Sequence, residues 1–325
     1  MESICKFLIV SIALSFQYLP HLKAAEIDVE ADLRLGADYR HIKKSGQLFF
    51  DTELKFKSER IHGVRAVIEA QAESDEREFE ATETYLNYKV SETDRIYLGY
   101  RKSRLGIESY TPSKDRFFSK RSILSDKIEE LAYVSLQPQI AWRKEQNGQR
   151  LRLAIGLPSS LDYNLQLGLV QQWGSWALGA WSIIQRDRQN YEEEAINGAM
   201  SINLNYTSEA HKLELELIAG IDPLATELRS VSSDGEVVFG GARLEYQRLI
   251  KGTAWAWSSR LAGLANDRFN SADRTYSMGA GLSWTQSKML SYYLTGDLIG
   301  SVNPLDRDDI SYLNSRAILE ARVRF

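Results

Sequence analysis

The chain has 325 residues, 43% hydrophobic and 26% charged, with a net charge of −4; it is long enough for one large domain or two smaller ones and lacks the basic excess that nucleic-acid binding requires. Outside the N-terminus there is no run of about 18 apolar residues, which excludes a transmembrane helix but not a membrane barrel, whose strands face lipid with alternate residues only. Its single cysteine, Cys5, lies at the extreme N-terminus.

Residues 1–25 read as a secretory signal peptide: Lys6, then an apolar stretch from Phe7 to Phe16, then the small residues Ala24 and Ala25. A buried strand or helix is the competing reading, but a two-residue period starts directly afterwards at Ile27. Cleavage there would remove Cys5, which excludes disulfides, thiol catalysis and cysteine metal sites in the mature chain. Cys5 precedes the apolar stretch, which also speaks against a lipoprotein anchor.

From Ile27, Val29, Leu33, Leu35 and Tyr39 fall on one parity, and Asp28, Glu30, Asp32, Arg34, Asp38 and Arg40 on the other. A helix would scatter those charges around its circumference; only a strand separates them. The alternation returns at Leu48 to Phe56, at Val64 to Ala72, at Thr82 to Val90 and at Ile96 to Tyr100. A less regular sixth segment spans Ala132 to Arg143 and contains Pro138. Asn147-Gly148, a dipeptide that tolerates positive φ at both turn positions, predicts a hairpin into Leu151 to Leu157. Further strands are expected at Tyr163–Gln171, Ser175–Ile184, Ile196–Tyr206, Leu213–Ile221, Val238–Tyr246, Trp255–Gly263, Tyr276–Trp284, Leu290–Leu298 and Leu313–Phe325, sixteen in all.

Connection lengths alternate. Even-numbered connections such as RIHG, SETD and TQSK are short, whereas the odd-numbered ones are mostly longer and more polar, the longest running from about Lys102 to Glu130. A sandwich gives no reason for loop length to follow strand parity, but an outer-membrane barrel does, with short periplasmic turns and long outer loops. The fold expected is therefore all-β, a transmembrane antiparallel β-barrel of about sixteen strands over residues 26–325, with both termini periplasmic. Aromatic residues near segment ends, among them Tyr39, Trp142, Tyr206, Trp255, Trp284 and Tyr292, suit interfacial girdles.

Barrels of this size leave an aqueous channel. The inward parity carries Asp51, Glu53, Lys55, Arg65, Glu69, Arg150, Arg152, Arg243, Arg322 and Arg324 as a charged pore wall, a set that is costly to bury dry. The third outer connection is too long for a hairpin and holds the apolar Phe117, Phe118, Ile123 and Leu124; it is expected to fold inward, the alternative being an extracellular flap. Its Lys102, Arg104, Lys114, Arg116, Lys120 and Arg121, against Glu108, would then place a positive excess at the constriction and favour anions. The alternative is a mixed field, with these cations facing wall carboxylates.

The histidines outside the signal segment, His41, His62 and His211, lie at or beside predicted turns and form no catalytic cluster, so no enzyme is expected. Asp306 to Asp309 includes three acidic residues that read as a solvated loop, the alternative being calcium binding in an exposed outer loop; no metal or other cofactor is expected.

The stretch from Ala81 to Ser122 resembles the corresponding region of the phosphate-selective porin O and P family, through Gly99, Lys102 and Gly106 in a Gly-x-x-Lys-x-x-x-Gly type spacing and the SKRS at Ser119 to Ser122. The resemblance implies a sixteen-stranded, trimeric porin that passes anionic solutes. The wall read here is closer to charge balance than the dense arginine and lysine lining of phosphate specialists, so phosphate specificity is not carried over. The last strand, with Leu319, Ala321, Val323 and the terminal Phe325, resembles the assembly signal of bacterial outer-membrane barrels. Expected partners are outer-membrane lipid and lipopolysaccharide, the barrel assembly machinery, small hydrophilic solutes and further copies of the chain. The alternative function is a non-diffusive barrel: an adhesin, a scaffold or an export component.

Overall fold

The computed structural model describes residues 27–40, 45–72, 79–111, 116–118, 121–158, 161–187, 196–222, 237–265, 274–302 and 315–324. The predicted signal peptide, Lys114, Lys120, His41, the acidic run at 306–309 and Phe325 lie outside them.

Sixteen antiparallel strands form one closed ring. They are β1 (Ile27–Arg40), β2 (Ser45–Ser58), β3 (Val64–Ala72), β4 (Phe79–Lys89), β5 (Asp94–Lys102), β6 (Leu136–Gln146), β7 (Gln149–Gly156), β8 (Leu161–Trp173), β9 (Trp176–Asp187), β10 (Ile196–Thr207), β11 (His211–Ile221), β12 (Val238–Leu249), β13 (Trp255–Ala265), β14 (Arg274–Thr285), β15 (Leu290–Val302) and β16 (Arg316–Arg324). Each strand pairs with its neighbours in sequence, and the ring is closed by β1 against β16, with Asp32 opposite Arg324 and Arg40 opposite Arg316. Closure removes every free edge, so no backbone ladder is left unpaired at a sheet margin.

Alternation places the apolar parity outside. Leu48 is 79% exposed and Leu298 is 65% exposed, while Asp32, Arg34 and Asp51 on the opposite parity are buried. Such a surface is unfavourable in water by roughly 25 cal/mol per Å² of apolar area, and it suits a hydrocarbon surrounding. Aromatic side chains cluster at the end of the barrel that carries the short connections: Trp255 stacks on Trp284, which stacks on Tyr292, with ring centroids 5.9 and 5.3 Å apart. Near the same end Trp176 meets Tyr206 at 4.8 Å and Tyr246 meets Trp257 at 5.1 Å.

The hairpin between β6 and β7 forms as its dipeptide predicts, with φ of 52° at Asn147 and 74° at Gly148. β6 starts later than expected. A helix occupies Ile123–Glu130, and Ala132 adopts a left-handed φ of 58° just beyond it, so the chain regains extended conformation only at Leu136.

The connection between β5 and β6 contains α1 (Ile107–Tyr110) and α2 (Ile123–Glu130). Ser122 caps α2 by accepting a hydrogen bond from the Ser125 backbone N–H. The helix buries Ile123, Leu124 and Ile128, which join Leu105, Leu131, Tyr133 and Val134 in one apolar cluster with Trp181, Ile183, Ala199, Ile218, Phe239, Ala262 and Leu264 of β9 to β13. These strand residues lie on the inner parity, where the sequence reading placed charges and glycines. The inner face is thus divided. Over five adjacent strands it is apolar and packs against residues of the β5–β6 connection, each buried Leu or Ile contributing ~2 kcal/mol.

Candidate functional site

Two glycines shape the approach to the β5–β6 connection. Gly99 has φ of 144°, and a Cβ there would lie 2.3 Å from the Thr84 carbonyl oxygen; Gly106 has φ of 79°, and a Cβ there would lie 2.5 Å from Glu216 Oε1. A side chain at either position would be strained and would collide. The turn at Gly106 brings the backbone N–H of Ile107 to Glu216 Oε1 at 2.8 Å and delivers Glu108 to the barrel wall.

Glu108 is 4% exposed and lies 3.3 Å from both Arg243 on β12 and Arg260 on β13. It also accepts from the Ser122 hydroxyl at 2.6 Å and from the Ser122 backbone N–H at 3.0 Å. Burial alone would raise its pKa, but the two guanidiniums and the Ser122 bonds outweigh burial and hold the carboxyl down at about 2. Arg243 is further surrounded by Glu245 at 2.9 Å, Glu216 at 3.1 Å and Glu214 at 3.4 Å, and Arg260 by Glu245 at 2.6 Å and Asp297 at 3.7 Å. The Phe118 ring lies 4.2 Å below the Arg260 guanidinium. The segment is therefore fastened by a buried ion-pair network beside its apolar cluster.

A cavity of about 410 Å³ lies between this segment and the inner faces of β1 to β4. The predicted residues Glu53, Lys55, Glu69, Lys102, Arg104, Glu108, Arg116, Arg121 and Arg324 all line it, together with Glu30, Asp32 and Glu83. The lining thus holds six carboxylates and six cationic groups. Lys55 pairs with Glu69, Arg121 with Glu129, and Lys102 approaches Glu129 at 3.7 Å. Among the described residues, neither the Arg104 nor the Arg116 guanidinium has a carboxylate within ion-pair distance. Burial, and then the Arg121 charge, pushes Arg116 down to about 10, which still leaves it cationic at neutral pH.

The remaining predicted wall residues are dispersed. Asp51 lies 3.7 Å from Arg34 and is buried. Arg65 is half-buried on β3, and Arg150 is exposed beside the Asn147-Gly148 hairpin, where it pairs with Glu145. Arg152 is buried against Gln139, and Arg322 is buried against Glu320 with the Tyr293 ring 4.3 Å away. Arg243 belongs to the network beneath the β5–β6 segment. Leu319, Ala321 and Val323 share the outward parity of β16.

Arg260, Glu216 and Glu83 were missed by the sequence reading, although a parity count would have found them. Glu216 alternates with Leu215 and Leu217, and Arg260 stands opposite Glu245 in the β12–β13 register. Glu83 is 3.4 Å from Arg101, whose guanidinium lies over the rings of Tyr85 and Tyr97 at 4.2 and 4.6 Å.

No family model matches the sequence, and no curated protein matches it. Solved structures do match in fold. The anion-selective porin from Comamonas acidovorans superposes with a TM-score of 0.69 at 9% identity, over 93% of this chain and 100% of that one. The outer membrane channel DcaP of Acinetobacter baumannii gives 0.68 at 12% identity, over 93% and 97% of the two chains. OmpT of Vibrio cholerae, an outer membrane protein in trimer form, gives 0.67 at 10% identity over 93% and 100%. The likeness is one of fold, which in this chain is a closed barrel of sixteen strands.

Proposed function

We propose that the protein is a bacterial outer-membrane porin, a water-filled channel for passive diffusion of small hydrophilic solutes. The observation that carries this reading is the charged cavity of about 410 Å³ inside a closed barrel whose outer face is apolar. A dry interior would leave its ions without hydration at several kcal/mol each; a wetted passage removes that cost. The contacts of Glu108, Phe118 and α2 with the inner wall support an inward-folded β5–β6 connection that narrows the channel. The porins and channels of like fold support an outer-membrane location, and the trimer form of OmpT supports a trimer.

Selectivity follows from the lining. Equal numbers of acidic and basic groups make the field mixed and the preference weak, with cations on the connection facing carboxylates on β1 to β4. Arg104 and Arg116 tilt it toward anions. Phosphate specificity has no support in this lining. Phe325 is assigned to the assembly signal that precedes insertion.

Single-channel recording of the refolded protein in planar bilayers, with the reversal potential under a salt gradient, tests the proposal. Steady conductance with a modest anion preference that falls in an Arg104→Gln, Arg116→Gln variant is expected. A folded barrel that conducts nothing overturns the diffusion channel, and a cation preference overturns the assigned selectivity.

A further inference from the structure

Beside the cavity, the inner faces of β5, β6 and β7 bury a second polar cluster. Arg101, Gln137, Gln139 and Arg152 are each 3% exposed or less. Gln139 stands between Gly99 and Gly156 in the cross-strand register, so no side chain flanks it at that level. A Cβ at Gly156 would fall 2.5 Å from Gln137 Cδ, which shows how closely that amide is laid over β7.

The cluster has more donors than partners. Arg101 Nη1, Gln139 Nε2, Arg152 Nε and both amide atoms of Gln137 are buried without a hydrogen-bond partner among the described residues. The Gln139 oxygen is already taken by Arg152, which fixes its amide nitrogen as the unmatched donor. A buried N–H left in this state forfeits the hydrogen bond it made to water in the unfolded chain.

Charge is unbalanced in the same sense. Arg101, Arg104 and Arg152 act on one another electrostatically; Glu83 acts on Arg104 and Arg152 and Glu69 on Arg104, but among the described residues the one ion pair any of the three makes is that of Arg101 with Glu83. Water could satisfy the loose donors, but it would leave the surplus positive charge in a low-dielectric wall.

We propose that this cluster is a seat for one small anion, of halide or carboxylate class, resident in the barrel wall and offsetting part of the positive charge of Arg101, Arg104 and Arg152. N–H donors from guanidinium and amide groups are the chemistry that takes such an ion. Arg104 borders both the cluster and the cavity, so the ion exchanges from the cavity side. The seat requires the barrel but not conduction, and a stability readout therefore separates its failure from that of the porin reading.

The test is thermal unfolding of the refolded full-length barrel in nonionic detergent at fixed ionic strength, with benzenesulfonate, too bulky for the closely packed cluster, replaced stepwise by chloride or by acetate. Saturable stabilisation is expected in the unmodified protein, and comparison of the two series tells halide from carboxylate. Arg152→Gln is expected to raise the midpoint of that titration roughly tenfold, the loss of one charge-assisted hydrogen bond. Arg150→Gln, which removes the same charge at the exposed hairpin, is expected to leave it unchanged. Should Arg152→Gln fail to fold, the unmodified protein alone decides. Melting temperatures that ignore the exchange of anions, or an Arg152→Gln variant that keeps the full response, would overturn the seat and leave water in the cluster.

Discussion

Glu108, carried by the connection between β5 and β6, stands 3.3 Å from Arg243 on β12. That contact joins a segment remote in sequence to the barrel wall, and Arg243 holds Glu214, Glu216 and Glu245 as well. Arg243→Leu would remove the cation shared by four carboxylates and leave Arg260 to hold Glu108 and Glu245 alone. Glu108→Gln removes a single negative charge from a network that keeps both arginines. Guanidinium chloride unfolding of the refolded barrel is expected to show a loss of about 3–5 kcal/mol for Arg243→Leu and a clearly smaller one for Glu108→Gln. Equal losses would mean that Arg243 is not the hub.

The depressed pKa of Glu108 sets a pH window. Its carboxyl falls from 4.5 to about 2 because, against burial, the Arg243 and Arg260 charges and the Ser122 bonds favour the ionised form. An acid with a lowered pKa contributes stability that is present above its unfolded value and is lost as pH falls through the folded one. The β5–β6 segment is therefore expected to stay fixed above pH 4.5 and to loosen toward pH 2. Open-channel current noise should rise across that window in the unmodified protein. Glu108→Gln should show raised noise at every pH, and a matching acid-induced rise in that variant would assign the transition to another group.

The barrel was legible because its signals are local. Period-two alternation, the Asn147-Gly148 turn and the parity of connection lengths each depend on residues close in sequence, and each survives into the structure. The inner partners of the β5–β6 connection were not legible in the same way. Trp181, Ile218 and Phe239 occupy inward positions that alternation assigns to water, and only the covering segment, many residues away, makes apolar side chains favourable there. Arg243 was legible as inward and charged. That it is buried in a four-carboxylate network depends on β11, β12 and the connection meeting in space.

Gly99 tests the approach to that connection. Its φ of 144° and the 2.3 Å from a built Cβ to the Thr84 carbonyl oxygen leave no room for alanine on β5. Gly99→Ala is expected to destabilise the barrel by about 1–3 kcal/mol through backbone strain. At Gly46 nothing lies within 4 Å of a built Cβ, so Gly46→Ala should be neutral within about 0.5 kcal/mol. Thermal unfolding of the two variants side by side makes the comparison, and a harmless Gly99→Ala would show that β4 and β5 can part without loss.

Lys127 on α2 lies 2.8 Å from Asp222, just beyond β11, with the two side chains 2% and 3% exposed. Lys127→Met takes a buried cation away from Asp222, whereas replacing both ions by apolar groups of similar volume restores a neutral interior. Lys127→Met is therefore expected to cost about 3–5 kcal/mol, and adding Asp222→Leu should recover most of that loss. The order matters more than the size: the double variant should be more stable than Lys127→Met alone. Denaturant unfolding of the three proteins gives the coupling directly. A double variant less stable than the single one would show that Asp222 holds the barrel through partners other than Lys127, and the ion pair would then not be what fastens the C-terminal end of α2 to the wall.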